Sequence, residues 1–439
     1  NGSGYKRGAG SINYGASLDW SINECPLSKI TSEKGLTDTF EGTVAMFVLS
    51  RTGGEGADLA RDMKAYGGES GQHYLEPDKT ELEIIDYLNK NFDDVIILVN
   101  ANNVMELGWI EDYENISAVI NFPGAGRTGT YGLGYMLTGL DKDGNEISAS
   151  GHLVDTVAYD SFSSPAMQNM GDYRYEGTDY YYVNYAEGIY VGYKYYETRY
   201  EDVVMNTGNA ASSAGVKCSQ NNTWNYSQEV AFPFGYGESY TDFAYSDFSV
   251  KSSGDTYEVS VTVTNTGDVA GKTPVQIYLQ KPYTEYDKEV GIEKASVELV
   301  GFTKTNLLQP DQSETYTIPV KAEEFKTYDA NGHKTYILEK GDYYLATGSD
   351  AHDALNNILA AKGYDKGDGM VDSLGNSADG NRQFANKITV SSDDFTKYSK
   401  STVTDYAITN QFDDADINKY EGTENMEVTY LSRSDWQGT

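Results

Sequence analysis

The run Asp94–Asn100, DVIILVN, constrains the fold of this chain more than any other stretch. Its branched aliphatic residues are unbroken by a polar position, so a strand built from them needs cover on both faces, as strands of a parallel sheet do. Two runs of the same kind flank it, Val44–Leu49 and Ala118–Phe122. Between the first two, Pro77-Asp78-Lys79-Thr80-Glu81 reads as a helix start. Asp78 or Thr80 is the N-cap and Glu81 or Glu83 the capping-box partner. Leu82, Ile85 and Leu88 then share one helical face. After the third run, Pro123-Gly124-Ala125-Gly126 turns the chain and Tyr131–Leu137 reads as a further helix. Strand, loop and helix in this repeated order specify an α/β domain.

The texture changes at Phe232-Pro233-Phe234-Gly235-Tyr236-Gly237. Tyr257–Asn265, YEVSVTVTN, alternates with period two and turns at Gly267-Asp268. Pro274–Leu279 and Ser313–Val320 repeat the pattern, and Thr335–Leu345 holds two short strands around Gly341. Short alternating strands with frequent turn signals indicate an antiparallel β-sandwich. The predicted fold class is therefore an α/β sandwich domain, residues 1–235, followed by an all-β sandwich, residues 243–350. A long irregular tail, 351–439, opens with a short helical piece at Asp353–Ala361.

The chemistry-bearing candidate lies just past the first strand, in Phe47–Asp62, FVLSRTGGEGADLARD. Gly53, Gly54 and Gly56 surround one carboxylate, Glu55. Glycines release the backbone from ordinary dihedrals, which suits a loop presenting one acid to a cleft. The competing reading is a tight turn with Glu55 as a solvated acid. The Gly-rich stretch Pro123–Gly129 lacks the Lys-Ser/Thr pair of a P-loop and the spacing of a dinucleotide fingerprint.

Composition narrows the partners. The chain has 439 residues, with 67 acids against 33 Lys and Arg, for a formal charge of −34. That charge repels nucleic-acid phosphates and anionic membranes. No stretch approaches the eighteen apolar residues of a membrane span. The opening NGSGYKRGAG reads as internal or processed rather than as a signal peptide. Cys25 and Cys218 are the only cysteines, too few for a disulfide framework. The four His residues, 73, 152, 333 and 352, show no ligand spacing, so no metal site is expected. Tyr reaches 38 copies, with blocks at Tyr180–Tyr182 and Tyr190–Tyr196. Its flat face and hydroxyl suit wet interfaces and sugar rings, although decoration of solvated strands accounts for most copies. The Tyr190–Tyr196 block reads as packing. Asp350, Asp353, Asp365, Asp368 and Asp372 do not follow the spacing of an EF-hand loop and read as solvated acids.

Several blocks together resemble family 3 glycoside hydrolases, the group of β-glucosidases and β-xylosidases. Ser50-Arg51-Thr52-Gly53-Gly54-Glu55-Gly56-Ala57-Asp58 is similar to the family's loop bearing the general acid/base. Asn121–Gly129 is similar to its glycine loop at the sheet edge. Tyr185-Ala186-Glu187-Gly188-Ile189-Tyr190-Val191-Gly192-Tyr193-Lys194-Tyr195-Tyr196 resembles a long signature at the end of its α/β sandwich. Pro233–Tyr240 resembles the entry to its fibronectin-III-like domain, and Glu298–Phe302 with Leu308–Asp311 a hairpin of that domain. The resemblance covers roughly residues 40–350.

The resemblance implies a retaining mechanism with two carboxylates about 5 Å apart. Glu55 is the implied general acid/base, and an Asp on a TIM barrel is the implied nucleophile. No eightfold strand–helix alternation occurs here, so the expectation is an inverted-order member whose barrel is a second chain or downstream segment. The blocks Glu421-Gly422-Thr423 and Tyr430–Trp436 resemble the junction leading into it. Asp435 also sits in a Ser-Asp-Trp triplet like the family's nucleophile. It follows a polar linker rather than a barrel strand, so it is not expected to be that residue. Arg51 either orients Glu55 or substrate or forms a structural ion pair. His73 and Tyr74 occupy a loop where the family places residues near the sugar subsites. The implied activity is removal of terminal β-D-glucosyl residues from β-glucosides or cello-oligosaccharides, with no cofactor. A homodimer is an open alternative, and the compartment is undetermined. Two other readings stand beside this one: a non-catalytic carbohydrate-binding or scaffold protein, and a β-xylosidase or N-acetylhexosaminidase of the same family.

Overall fold

The apolar run at Val44–Leu49 forms strand β1, Ala45–Ser50. The run at 94–100 forms β2, Val95–Asn100, and the third forms β3, Ile116–Asn121. These assignments come from a computed structural model that describes residues 20–32, 43–53, 59–170, 184–412, 414–416, 418 and 428–437. The three strands make a parallel sheet in the order β1-β2-β3, with Ala45 opposite Val95 and Ser50 opposite Asn100. In β2 Val95, Ile97, Leu98 and Val99 are buried and Ile96 is half-buried, close to what a central strand covered on both faces requires.

Helix α1, Lys79–Asn91, connects β1 to β2. Asp78 is its N-cap, accepting from the Glu81 N–H, while the Glu81 carboxylate accepts from the Asp78 N–H. Its buried face is Glu81, Ile84 and Ile85. One position in that face is a carboxylate, which apolar periodicity alone does not find. Helix α2, Gly129–Thr138, follows the glycine turn after β3, and helix α3, Tyr193–Val204, follows Gly192.

The second half builds two antiparallel sheets. One contains β4 (Phe243–Ser253), β5 (Thr256–Asn265) and β8 (Ser313–Lys321), in the order β8-β5-β4. The other contains β6 (Pro274–Gln280), β7 (Glu298–Lys304), β9 (Gly341–Gly348) and β10 (Ala385–Val390), in the order β10-β9-β6-β7. Period two decides the core. Val259, Val261 and Val263 of β5 meet Val275, Ile277 and Leu279 of β6, with Ile318, Val320, Tyr343 and Leu345 completing it. The alternate residues of β5 face outward, where Thr262 and Thr315 pair their hydroxyls across strands at 2.9 Å.

Residues 351–390, assigned to the tail on sequence grounds, are ordered parts of this body. Helix α4, Ala351–Lys362, buries Ala351, Ala354, Leu355, Ile358 and Leu359, and packs on β9. Strand β10 pairs with β9 along Gly341–Ala346. The Gly-, Asp- and Ser-rich residues between them make caps and tight turns, such as Gly363 at the C-cap with φ 100°. From 391 onward the described residues hold turns and isolated bridges.

The chain divides into two compact units. One is Asn1–Gly134 with Val157–Ser161 and Met170–Tyr182. The other is Tyr135–Thr156, Phe162–Asn169 and Val183–Thr439. Residues 183–235, read from the sequence as the end of the α/β domain, thus group with the β-sandwich. Buried polar ties run within this unit: the Tyr200 hydroxyl reaches Asn356 Oδ1 at 2.8 Å, and Glu197 reaches His352 at 2.8 Å.

Candidate active site

Parallel strands bring their C-terminal ends to one sheet edge, the usual position for ligands in an open α/β sheet. Arg51 continues from β1 there, with its N–H donating to Asn100 O at 3.2 Å. Glu55, with Gly54, Gly56 and Asp58, lies outside the described residues, as do Tyr180–Tyr182 and Glu421–Thr423. The stem of the Glu55 loop, through Gly53, is described in full.

Arg51 is 5% exposed and its guanidinium makes a bidentate pair with Glu81, at 2.8 and 2.7 Å. It also donates to the carbonyls of Tyr74 at 2.7 Å and Glu76 at 2.6 Å. One cation therefore binds the end of β1, the start of α1 and the loop between them. Burial pushes the Glu81 pKa up, and the Arg51 pair only partly offsets it. Of the two readings of Arg51, the geometry displays the structural ion pair.

Tyr74 is fully buried, and its hydroxyl oxygen accepts from the Thr52 N–H at 2.9 Å. Trp20 packs edge-on against the ring at a centroid distance of 5.0 Å. His73 is 2% exposed. Its Nδ1 accepts the Leu75 N–H at 3.2 Å, so Nε2 carries the proton and faces Glu106 Oε1 at 2.8 Å. Burial, the largest influence, lowers the His73 pKa. The hydrogen bond and charge of Glu106, with Glu76 and Asp160, outweigh it, and the pKa ends raised. Of the three predicted residues, Arg51 and Tyr74 thus converge on the loop stem from inside the unit, while His73 turns to Glu106.

His73, Glu106 and Asp160 also place one ligand-type atom each within 4.8 Å of one another, the arrangement of a small cation site. The donor set does not fit a resident metal. A histidine that ligates through Nε2 carries its proton on Nδ1, and that proton would point at the Leu75 N–H. The cluster instead holds a proton between His73 and Glu106. This buried cluster escaped sequence reasoning because its members are 33 and 54 or more residues apart along the chain, with no shared motif.

The second unit has its own acidic cavity of about 350 Å³, lined by Tyr236, Asp350, Asp353, Asn356, Asp372 and Asp379 among others. Its carboxylates serve the fold. Asp350 is the N-cap of α4, accepting from the Asp353 N–H, and Asp372 accepts from the N–H groups of Leu374 and Asn376. Asp350 is 2% exposed, which corrects its reading as a solvated acid. Asp435, by contrast, is exposed on a turn, where its Oδ1 accepts from the Gln437 N–H at 3.0 Å.

The relatives of this chain agree with the fold. Residues 273–351 match the fibronectin type III-like domain family. A β-glucosidase of Ruminococcus albus is 29% identical over 339 residues, covering 76% of this chain and 30% of that protein. β-Glucosidase A of Butyrivibrio fibrisolvens is 30% identical over 342 residues, covering 70% and 36%. Among solved structures, a β-glucosidase from Paenibacillus barengoltzii superposes with a TM-score of 0.57 at 28% identity, covering 77% of this chain and 32% of that one. The chain belongs to the family 3 glycoside hydrolases of β-glucosidase type.

This family 3 chain spans about a third of the length of those relatives, 30%, 36% and 32% in the three comparisons. No described helix is long and apolar enough to cross a membrane.

Proposed function

We propose that the chain is part of a retaining exo-acting β-glycosidase, a β-glucosidase, in which Glu55 is the general acid/base. A TIM barrel on a second chain or another segment supplies the Asp nucleophile. The limits 1–235, 243–350 and 351–439 enter this proposal as boundaries inherited from the family resemblance, distinct from the two compact units. The carrying observation is the position of Arg51–Gly53, the described residues that lead to Glu55 in the chain. They leave the C-terminal end of β1, at the sheet edge where α/β folds place ligands, and are clamped by Arg51–Glu81 and Tyr74–Thr52. Similarity to three β-glucosidases supports the substrate class.

The chemistry then divides between two bodies. The barrel carboxylate attacks the anomeric carbon while Glu55 protonates the leaving oxygen. Glu55 next removes a proton from the incoming water, and the two carboxyls stand about 5 Å apart. Such an acid must hold its proton near neutral pH, which partial desolvation and a neighbouring carboxylate accomplish. Arg51 and Tyr74 act through the loop stem rather than by touching sugar, and the buried His73 engages Glu106.

The test compares Glu55→Gln with wild type in the presence of the barrel. Turnover of cellobiose, whose leaving group needs a proton, is expected to fall by about 10²-fold or more. Turnover of an activated dinitrophenyl β-glucoside should fall far less. Full activity of Glu55→Gln on cellobiose would refute the assignment.

A further inference from the structure

The foot of the loop rests on a side chain that no part of the mechanism above uses. The carboxamide of Asn103, in the connection leaving the C-terminal end of β2, occupies the space a side chain on Gly53 would need. A methyl group added to Gly53 would overlap Asn103 Oδ1 and come within 3.3 Å of Cγ. Asn103 Oδ1 is itself buried and, among the described residues, has no hydrogen-bond partner. A buried amide oxygen without a donor is a standing cost to the fold. The pairing of an unsatisfied acceptor with a residue lacking a side chain marks a close approach that packing alone would not select.

We propose that Asn103 is a positioning residue for the acid/base: its carboxamide is the wall that sets where the loop leaves the sheet. This inference rests on the reading of Glu55 as acid/base. Tyr74 holds the stem from one side, through the Thr52 N–H, and Asn103 stops it from the other, at Gly53. Glu55 follows two residues later in the chain. A proton donor must lie within hydrogen-bond reach of the leaving oxygen, and a displacement of about 1 Å can cost about 10²-fold in rate. Asn103 touches no reacting atom in this arrangement. Its effect passes through the backbone at Gly53.

A double-mutant cycle isolates that contact. Gly53→Ala, Asn103→Ala and the double variant are assayed with the barrel present, on cellobiose and on dinitrophenyl β-glucoside, with Glu55→Gln in parallel. Gly53→Ala should lower kcat/KM on cellobiose about tenfold or more relative to the activated substrate, because only the former needs the proton. Asn103→Ala should lower the same ratio less. In the double variant the shortened side chain makes room for the added methyl, so the ratio should return to about that of Asn103→Ala. Independent, multiplying effects would overturn the proposal, as would equal losses on both substrates or no loss at all. If Glu55→Gln behaves as proposed while the cycle is additive, only the role of Asn103 falls. If Glu55→Gln keeps full activity on cellobiose, both readings fall.

Discussion

Arg51 and Glu81 form a buried, bidentate pair at 5% and 1% exposure. Removing one member of such a pair strands a charge, which costs about 3–5 kcal/mol, whereas removing both charges is far milder. Arg51→Met should therefore destabilise by about 3–5 kcal/mol in denaturant titration. Adding Glu81→Gln should recover part of that loss, since Gln keeps the capping geometry without the charge. Equal stability of the single and double variants would contradict this. His352 is a second buried charge. Its Nε2 donates to Val371 O at 2.9 Å and its Nδ1 faces the Glu197 carboxylate at 2.8 Å, an arrangement that favours the imidazolium. Burial lowers its pKa most among single influences, yet Glu197 and Asp350 outweigh it and the pKa ends raised above 6.5. The stability it contributes is complete below pH 6.5 and is lost as pH rises through the folded-state value. Asp350 shifts the same way for a different reason: burial and Asp353 raise its pKa from 3.8 to about 6. A raised carboxyl pKa means stability declines as pH rises between those two values. Asp350→Asn keeps a good N-cap and should flatten the melting temperature between about pH 4 and pH 6. An unchanged slope would show that Asp350 does not titrate there. An ion pair was legible for Arg51, but the burial of His352 and Asp350 was not. Glu197, Glu201 and Asp202 lie in YKYYETRYEDVV, and no local pattern reveals their partners His352, Lys362 and Arg433, which come from more than 150 residues away.

At the scale of elements, helix α3 shows what those distant partners do. Arg433 donates to Glu201 at 3.1 Å and to Asp202 at 3.2 Å, with its guanidinium 4.7 Å over the Tyr283 ring. Trp436 is 1% exposed, donates to Asp202 Oδ2 at 3.0 Å and packs on Tyr190 and Tyr195. Residues 431–436 thus form a strap across α3, opened by the Leu431 N–H donating to Ala186 O at 2.8 Å. Trp436→Ala removes a large buried ring and should cost about 3–5 kcal/mol. Hydrogen exchange should quicken in 193–204 while β5 and β6, whose core lies elsewhere, stay protected. Unchanged exchange in α3 would contradict the strap. Strands were easier to foresee than straps. The unbroken aliphatic run of β2 and the alternating run of β5 each allow one environment, and both adopt it. The strap has no periodicity to read, and its Ser-Asp-Trp triplet resembled a nucleophile motif while Arg433 and Trp436 make the contacts.

At the scale of the whole molecule, the fold classes were legible and the unit boundary was not. Turn-rich residues 363–381 look like a linker in composition, yet they join α4 to β10 inside the sandwich. Residues 183–235 look continuous with the α/β region, yet α3 is tied to α4 by Tyr200–Asn356 and Glu197–His352. The Glu55 loop was legible as a candidate because three glycines around one acid are rare in a packed strand turn. The Arg51–Glu81 clamp on its stem was legible only as two separate local roles, an ion pair for Arg51 and a cap for Glu81, because the two residues are 30 positions apart in the chain. The central claim is that this chain lends its acid/base to a nucleophile housed elsewhere. Azide trapping addresses it most directly. Glu55→Ala, combined with the barrel and given dinitrophenyl β-glucoside plus azide, still forms a covalent glycosyl-enzyme but lacks the base that activates water. The expected product by NMR is the β-glycosyl azide, with turnover rising as azide is added. Undiminished glucose release with no azide adduct would contradict the claim.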